Sequence, residues 1–206
     1  WCCLVGSEMC IRDSRSMPRI TVNRRDFLGI SLAGALAWLW KPTMAKALGG
    51  KLPELGIAAP DFNLPGTIAG TTKPNLSLKS WRGQWLVLYF YPRDFTSGCT
   101  IEAHGFQDAL SDFKSHNCEI AAISADSVDD HESFCTSEGL GFTLLSDPDG
   151  AVSRDYGSWM APYSLRHTFL IDPDGLLRAR WTGVRPVGHA QEVLSTLITE
   201  QTSGAV

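Results

Sequence analysis

The globular part of this sequence lacks a surplus of basic residues. Residues 48–206 contain eleven Lys and Arg against nineteen Asp and Glu, and the whole chain is 44% hydrophobic with a net charge of −4. Nucleic-acid binding depends on clustered Lys and Arg that neutralise phosphates. An acidic body therefore argues against nucleic acid as a partner. These 159 residues suffice for one sizeable core, and we expect one domain over residues 48–206.

The sequence also lacks an apolar run long enough to cross a bilayer comfortably. The mostly apolar run Phe27–Trp40 has fourteen residues, whereas a spanning helix needs about 20. A short apolar run followed by the small-residue pattern Ala45-x-Ala47 is typical of an export signal with its cleavage site. We predict a signal over residues 17–47, a mature chain that starts near Leu48 and no stable membrane insertion after cleavage. An uncleaved N-terminal anchor is the alternative.

A pair of arginines precedes this apolar run. Arg24-Arg25, followed by Asp26-Phe27-Leu28, resembles the twin-arginine signal, whose translocase exports folded proteins. The resemblance predicts the bacterial periplasm as the location, or the thylakoid lumen if the source is photosynthetic.

The first sixteen residues do not read as natural protein. Leu4–Ser14 resembles a translated sequencing-library adapter, so we expect residues 1–16 to be an artefact and Met17 to be the natural start. Cys2, Cys3 and Cys10 would then not belong to the protein. The alternative, a cysteine-rich metal or disulfide cluster, has no histidine nearby and no even disulfide framework.

Predicted strands and helices alternate after residue 48. Trp85–Tyr91 is a continuous apolar run, typical of a strand buried on both faces. Strand–helix–strand units followed by a hairpin predict an α/β fold with a mixed sheet. The other predicted elements are strands at 119–125 and 142–145, helices at 101–113 and 129–138, a hairpin of 167–171 with 176–181, and a terminal amphipathic helix that carries Val193, Leu194, Leu197 and Ile198.

The chemistry is predicted at the end of the first buried strand, where Cys99 enters a helix. A cysteine in the first turn of a helix feels the positive end of the backbone dipole, which favours its thiolate form. Pro92 and Gly98 shape the loop, and the Thr96 hydroxyl is close enough in sequence to donate to the sulfur or to its substrate. This is a position for a nucleophile, although a lone free cysteine is usually a small buried hydrophobe.

The pattern Pro92-x-x-x-Thr96-x-x-Cys99 resembles the signature of peroxiredoxins. The resemblance extends from about Leu55 to the last helix and is nearest to the bacterioferritin-comigratory, or Q-type, subfamily. It implies a thioredoxin-like fold, with a central mixed β-sheet flanked by helices, and reduction of hydrogen peroxide and organic hydroperoxides by a thiol. The flanking segments that carry it are Ala59-Pro60-Asp61-Phe62-x-Leu64, Val87–Pro92, Leu144–Gly150 and Arg166-x-Thr168-Phe169-Leu170-Ile171-Asp172.

The resemblance assigns roles to the residues of this pattern. It implies that Cys99 is the peroxidatic cysteine, that Thr96 hydrogen-bonds the incoming peroxide and that Pro92 shields the site from water. Arg166 would hold the thiolate and polarise the O–O bond, as a fixed guanidinium can. Glu102 would orient that arginine, or it would be an exposed first-turn carboxylate that favours the helix dipole.

The sequence departs from the subfamily pattern at two positions. Ser97 replaces a usual proline, and His104 stands where many relatives carry the resolving cysteine. Some relatives carry that cysteine on the next helix, where Cys135 follows Cys99 by 36 residues. A sulfenic acid condenses readily with an accessible thiol, so we predict a Cys99–Cys135 disulfide that requires local unwinding of helices. Alternatively Cys135 is inert and an external thiol resolves Cys99. Cys118, at the start of a strand, is predicted to be a small buried hydrophobe.

Other functions would require residues that the sequence does not place near Cys99. A thioredoxin-like disulfide reductase needs Cys-x-x-Cys, but Glu102 occupies the third position after Cys99. His131 and Cys135 lie four residues apart on one helix face, yet two ligands do not make a zinc site, so we expect no metal and no cofactor. A non-catalytic redox-sensing or holdase module stays an alternative.

The resemblance also suggests partners. A peroxide is the expected substrate and thioredoxin the implied reductant, but an exported enzyme would not meet the cytosolic thioredoxin pool. A membrane-tethered or periplasmic dithiol donor is therefore the better hypothesis. We expect a monomer or a weak dimer.

Overall fold

A computed structural model describes residues 49–203 of the chain. The predictions for residues 1–16 and 17–47, including the twin-arginine signal and its cleavage, lie outside these residues. Within 49–203, no helix combines the length and the apolar character needed to cross a membrane.

The centre of the fold is a mixed β-sheet. The strands are β1 Asn63–Ile68, β2 Thr71–Ser77, β3 Trp85–Phe90, β4 Cys118–Ser124, β5 Thr143–Ser146, β6 Trp159–Met160, β7 Tyr163–Ser164, β8 His167–Ile171 and β9 Leu177–Thr182. Seven of them form the sheet in the order β2-β1-β5-β4-β3-β8-β9. β3 pairs in parallel with β4, and β4 with β5, while the remaining neighbours are antiparallel. A separate hairpin joins β6 to β7.

Helices cover both faces of the sheet. They are α1 Ser97–Asp108, α2 Leu110–Ser115, α3 Val128–Glu138, α4 Ala151–Asp155 and α5 His189–Ser203, with a 3-10 turn at Leu78–Trp81. The apolar spacing over 101–113 predicts a helix that starts near Gly98–Cys99. The structure divides this stretch, because α1 ends at Asp108 and α2 begins at Leu110 after the C-cap residue Ala109. Ala109, Leu110 and Phe113 remain buried despite the break, so the apolar spacing looks continuous in the sequence.

The core lies on both sides of β3, as its unbroken apolar run predicts. Side chains along a strand alternate between the two faces of its sheet. Val87 and Tyr89 pack on the side of α1, α3 and α5, while Leu88 and Phe90 pack on the opposite side.

The parallel strands fix where the loops meet. β3 runs into the loop that leads to α1, and β4 runs into the segment that leads to α3. Because β3 and β4 are parallel neighbours, both loops emerge at the same edge of the sheet, where sites in α/β folds form.

Candidate active site

Cys99 is the third residue of α1 and is only 2% exposed. The first N–H groups of a helix have no intrahelical acceptor, and together with the dipole they favour negative charge at this end. Burial alone would suit either a nucleophile or a packing residue. The neighbours of the sulfur distinguish the two interpretations.

Arg166 is the polar neighbour of the Cys99 sulfur. Its Nη2 donates to Cys99 Sγ at 3.4 Å, and its Nη1 donates to the Glu102 carboxylate. Arg166 precedes β8, and the pairing of β8 with β3 places His167 opposite Phe90 at the end of the strand that leads to the site. Burial lowers the pKa of Arg166, but Glu102 and Cys99 outweigh it and the net shift is upward. A permanent cation is therefore fixed beside the sulfur.

Glu102 lies one helical turn after Cys99 and is buried. Burial raises its pKa to about 7, although the charge of Arg166 and its hydrogen bond oppose the rise. Its Oε1 has no hydrogen-bond partner within residues 49–203. The alternative of an exposed first-turn carboxylate is wrong, because this side chain is buried and pairs with Arg166.

Gly98 leaves room for the guanidinium. A Cβ at this position would lie 3.2 Å from Arg166 Nη2 and 3.9 Å from Pro186 Cγ. The close approach of Arg166 therefore explains the glycine next to Cys99.

Thr96 and Pro92 lie where the sequence predicts, before the helix. Thr96 is the N-cap residue of α1, and its hydroxyl donates to the Arg93 carbonyl at 3.1 Å instead of to Cys99. Pro92 is half-buried and lies two residues after the end of β3. The geometry places both residues in the loop between β3 and α1, and their roles toward a peroxide stay predictions.

The two other cysteines of the described region are free and buried. Cys118 is 1% exposed within the apolar cluster, which confirms its prediction as a small buried hydrophobe, and burial raises its pKa to about 12. Burial raises the pKa of Cys135 to about 11, and this side chain is 2% exposed within α3. The thiol of the reduced protein therefore packs into the core, and the Cys99–Cys135 disulfide, which requires local unwinding of helices, stays a prediction.

The two positions that depart from the subfamily pattern are both in α1. Ser97 is its first residue. His104 Nε2 lies 3.0 Å from Glu138 Oε2, at the end of α3.

His131 is not available as a metal ligand. Its Nδ1 donates to Asp94 Oδ2 at 2.7 Å, and its Nε2 faces the Leu145 carbonyl at 3.2 Å. The Tyr91 hydroxyl donates to the other carboxylate oxygen of Asp94 at 2.6 Å. Sequence reasoning missed this buried network, because Asp94 and His131 are 37 residues apart. In the part of the chain that the structure describes, no group of three or more potential metal ligands occurs.

The AhpC/TSA family matches residues 55–180, most of the described domain. The chain belongs to this family, the peroxiredoxins. Peroxiredoxins are thiol peroxidases that use peroxide substrates and thioredoxin-type reductants. The predictions of a peroxidase and of a thioredoxin-like fold are thereby confirmed.

Relatives of known name support the Q-type group among the peroxiredoxins. Peroxiredoxin Bcp of Xanthomonas campestris is 38% identical over 152 residues, which are 69% of this chain and 93% of that protein. The putative peroxiredoxin bcp of Coxiella burnetii is 41% identical and matches over 70% of this chain and 98% of its own. The mitochondrial thioredoxin-dependent peroxide reductase of Rattus norvegicus is 39% identical over 68% of this chain and 58% of its own length.

Solved structures of Q-type peroxiredoxins share the fold. The Xanthomonas campestris bacterioferritin comigratory protein, studied for alkyl peroxide reduction, has 34% identity and a TM-score of 0.61 over 66% of this chain and 91% of its own. A cysteine-to-serine mutant of Xylella fastidiosa PrxQ has 33% identity and a TM-score of 0.67 over 74% of this chain and 99% of its own. Two single cysteine-to-serine mutants of the Xanthomonas protein change positions 36 residues apart, the spacing of Cys99 and Cys135.

Proposed function

We propose that Cys99 is the peroxidatic cysteine and that the enzyme reduces hydrogen peroxide and organic hydroperoxides. The observation that carries the proposal is the Arg166 guanidinium at 3.4 Å from the sulfur at the first turn of α1. The thiolate attacks one peroxide oxygen, the O–O bond breaks, and the products are a Cys99 sulfenic acid and water or an alcohol once the leaving oxygen takes a proton. A fixed cation stabilises the charge that develops on that oxygen.

The surrounding residues supply positioning in this proposal. Glu102 holds Arg166 through the ion pair, and Gly98 leaves the guanidinium room beside the sulfur. Thr96, exposed at the helix start, would exchange its bond to the Arg93 carbonyl for one to the peroxide. Pro92 would limit water at the sulfur.

We assign the resolving role to Cys135. Its 36-residue separation from Cys99 equals the separation of the two mutated cysteines in the Xanthomonas relative. Both cysteines also belong to the same apolar cluster on one face of the sheet. A one-cysteine enzyme that uses an external thiol, and a redox-sensing module without turnover, are the alternatives.

Peptide mapping under non-reducing conditions tests both roles. The reduced protein receives about one equivalent of hydrogen peroxide, and the oxidation state of each cysteine sulfur is then determined. We expect a Cys99–Cys135 crosslink, no crosslink in Cys135→Ser, and normal turnover in the control Cys118→Ser. A Cys99 sulfenic acid without a crosslink would make the enzyme one-cysteine. An unreacted Cys99 would overturn the peroxidase assignment, and oxidation without turnover would favour the sensor.

We further propose export through the twin-arginine signal to the periplasm, with a periplasmic or membrane-tethered dithiol donor as reductant. Arg24-Arg25 ahead of the short apolar run supports this location. Replacement of both arginines by lysine should retain the protein in the cytoplasm of a bacterial host, as measured by cell fractionation. Faster reduction of the oxidised enzyme by cytosolic thioredoxin than by a periplasmic extract would contradict the proposed donor.

A further inference from the structure

Asp94 connects the loop between β3 and α1 to α3 through buried hydrogen bonds. Its Oδ2 accepts from His131 Nδ1 at 2.7 Å, and its Oδ1 accepts from the Tyr91 hydroxyl at 2.6 Å. The Asp94 and His131 side chains are almost completely buried. Burial and Asp94 raise the pKa of Tyr91, so its hydroxyl remains a donor. Hydrogen bonds to a carboxylate are stronger than those between neutral groups.

The next loop residue contacts the same helix. The Phe95 ring packs against the Phe134 ring in a T-shaped arrangement, with centroids 5.1 Å apart. Phe95 is nevertheless 56% exposed and has a φ of 57°, a left-handed conformation that is costly for a bulky residue. Two successive loop residues therefore hold α3, one through a polar contact and one through an aromatic contact.

Cys135 belongs to the segment that these contacts hold. It follows Phe134 directly and His131 by one helical turn. The β1–β2 hairpin packs against this part of α3, since the Thr72 hydroxyl donates to the Glu132 carboxylate at 3.2 Å and a Cβ at Gly70 would lie 3.4 Å from Thr136 Oγ1. A thiol in this position can reach Cys99 only after α3 separates from the loop.

We propose that these two contacts, Asp94–His131 and Phe95–Phe134, form a loop–helix latch that sets how fast Cys135 resolves the oxidised enzyme. The inference rests on the proposed roles of Cys99 and Cys135. In resolution the S–O bond of the Cys99 sulfenic acid breaks, an S–S bond to Cys135 forms, and the thiol proton leaves with the hydroxyl as water.

The latch also determines the competing fate of the sulfenic acid. While the latch is closed, a second peroxide molecule can transfer an oxygen to Cys99, which gives a sulfinic acid and water or an alcohol. A strong latch therefore favours over-oxidation and a weak latch favours the disulfide. His131 acts through Cys135 and is a positioning residue.

A matched pair of variants at His131 isolates the hydrogen bond. His131→Asn keeps a donor near the position of Nδ1, whereas His131→Leu removes it. We expect the disulfide to form about tenfold faster in His131→Leu, the usual effect of one lost hydrogen bond to a charged group, and near the wild-type rate in His131→Asn. The rate of Cys99 oxidation should be the same in all three proteins. Rapid quenching with an alkylating agent, followed by mass spectrometry, measures both steps.

Two further variants of the full chain complete the experiment. Phe95→Ala removes only the aromatic contact and should accelerate disulfide formation and raise the peroxide concentration that gives half-maximal sulfinic acid. Tyr156→Phe, the control, deletes a buried hydrogen bond of 2.8 Å to the Pro60 carbonyl on the other face of the sheet and should change neither rate.

The outcomes separate the latch from the proposed function. An unchanged or slower disulfide step in Phe95→Ala and in a folded His131→Leu, with normal Cys99 oxidation, would overturn the latch alone. If His131→Leu does not fold, the rate of disulfide formation in Phe95→Ala alone tests the latch. Absence of a Cys99–Cys135 disulfide in the wild-type protein would instead remove the resolving role, and the latch with it.

Discussion

At the scale of single residues, the site depends on one guanidinium that contacts two partners. Arg166 reaches the Cys99 sulfur and the Glu102 carboxylate at the same time, through separate nitrogens of a rigid planar fork that the single ammonium of a lysine lacks. The space for this fork comes from Gly98, and its charge is balanced by a carboxylate that burial makes hard to ionise. Small changes at either position should therefore affect catalysis or pH response before they affect the fold.

Gly98→Ala tests the space beside Arg166. The new methyl group would press on Arg166 Nη2, 3.2 Å away, so we expect kcat/KM for hydrogen peroxide to fall by about tenfold or more. Stability should not fall, because alanine favours a helix by about 1 kcal/mol over glycine. The control is Gly105→Ala on the same helix, where a Cβ meets only Ala190 Cβ at 3.7 Å. Equal activity losses in both variants would contradict the explanation.

Glu102 gives the fold a specific pH response. Its pKa of about 7 in the folded protein lies above the ordinary value of 4.5, so the folded state binds this proton more tightly than the unfolded state does. The resulting stability is complete below the ordinary pKa and is lost as pH rises through the folded pKa. Urea unfolding should show a fall in stability from pH 5 to pH 8 that is smaller in Glu102→Gln. The exposed control Glu54→Gln should keep the wild-type slope; an identical slope in Glu102→Gln would refute the assignment.

At the scale of elements, α3 combines a capped first turn with a segment that opens in the proposed reaction of Cys135. Ser127 and Asp130 form a reciprocal capping box, in which the Ser127 hydroxyl accepts from the Asp130 N–H at 3.1 Å and the Asp130 carboxylate accepts from the Ser127 N–H at 3.3 Å. The hydrogen bonds from Ser127 lower the pKa of Asp130. The cap residue Ser127 fixes the helix start and lies four residues before His131.

Loss of this cap should expose Cys135. Ser127→Ala costs about 1 kcal/mol of helix stability, so we expect native-state alkylation of the Cys135 thiol to become about fivefold faster, as 1 kcal/mol of opening free energy implies. Ser133→Ala is the matched control, because its hydroxyl only donates within the same helix to the Asp129 carbonyl. If the control accelerates alkylation as much, the cap is not responsible.

The elements differ in how far the sequence predicts them. β3 is apolar throughout and β4 has an apolar centre, Ile120–Ile123, and the structure contains both strands within a residue or two of the expected bounds. The β1–β2 hairpin went unpredicted, because Pro65, Gly66 and Pro74 are typical of turns. β1 pairs with β2 and also with the distant β5, where a side chain at Gly66 would collide with the Leu144 carbonyl. Long-range pairing of this kind is absent from local patterns.

The same distinction between local patterns and long-range contacts applies to the residues of the candidate site. A local motif points to Cys99 and Thr96, and the resemblance supplies Arg166. Asp94 and His131 have no such pattern, because their contact exists only once β3 and β4 lie side by side. The apolar periodicity of the sequence likewise does not predict the burial of Cys135, since this burial depends on the β1–β2 hairpin that packs against α3.

At the scale of the whole molecule, the apolar cluster that contains Cys99 also contains residues of the terminal helix α5. The site lies at the end of β3, whereas α5 packs its apolar face on the sheet. Leu197 of α5 is fully buried, but its neighbour Ile198 is 41% exposed. Replacement of Leu197 therefore creates a cavity, and replacement of Ile198 does not.

Leu197→Ala should separate folding from catalysis. We expect the free energy of unfolding to fall by about 2–5 kcal/mol, the range for a buried leucine, with kcat/KM per folded molecule unchanged. Ile198→Ala is the adjacent control and should cost about 1 kcal/mol or less. Denaturant unfolding and a steady-state peroxidase assay measure the two quantities. A matching loss of kcat/KM in Leu197→Ala would show that the terminal helix also supports the site.

Both outer strands of the seven-stranded sheet are poor templates for another chain. β2 is exposed and carries Lys73 and Pro74, and proline offers no N–H for a further strand. The start of β9 is covered, because Gly56 and Ile57 hydrogen-bond to Leu177. Edge-to-edge growth into fibrillar aggregates is disfavoured at both outer strands, so the folded domain should stay dispersed in concentrated solution.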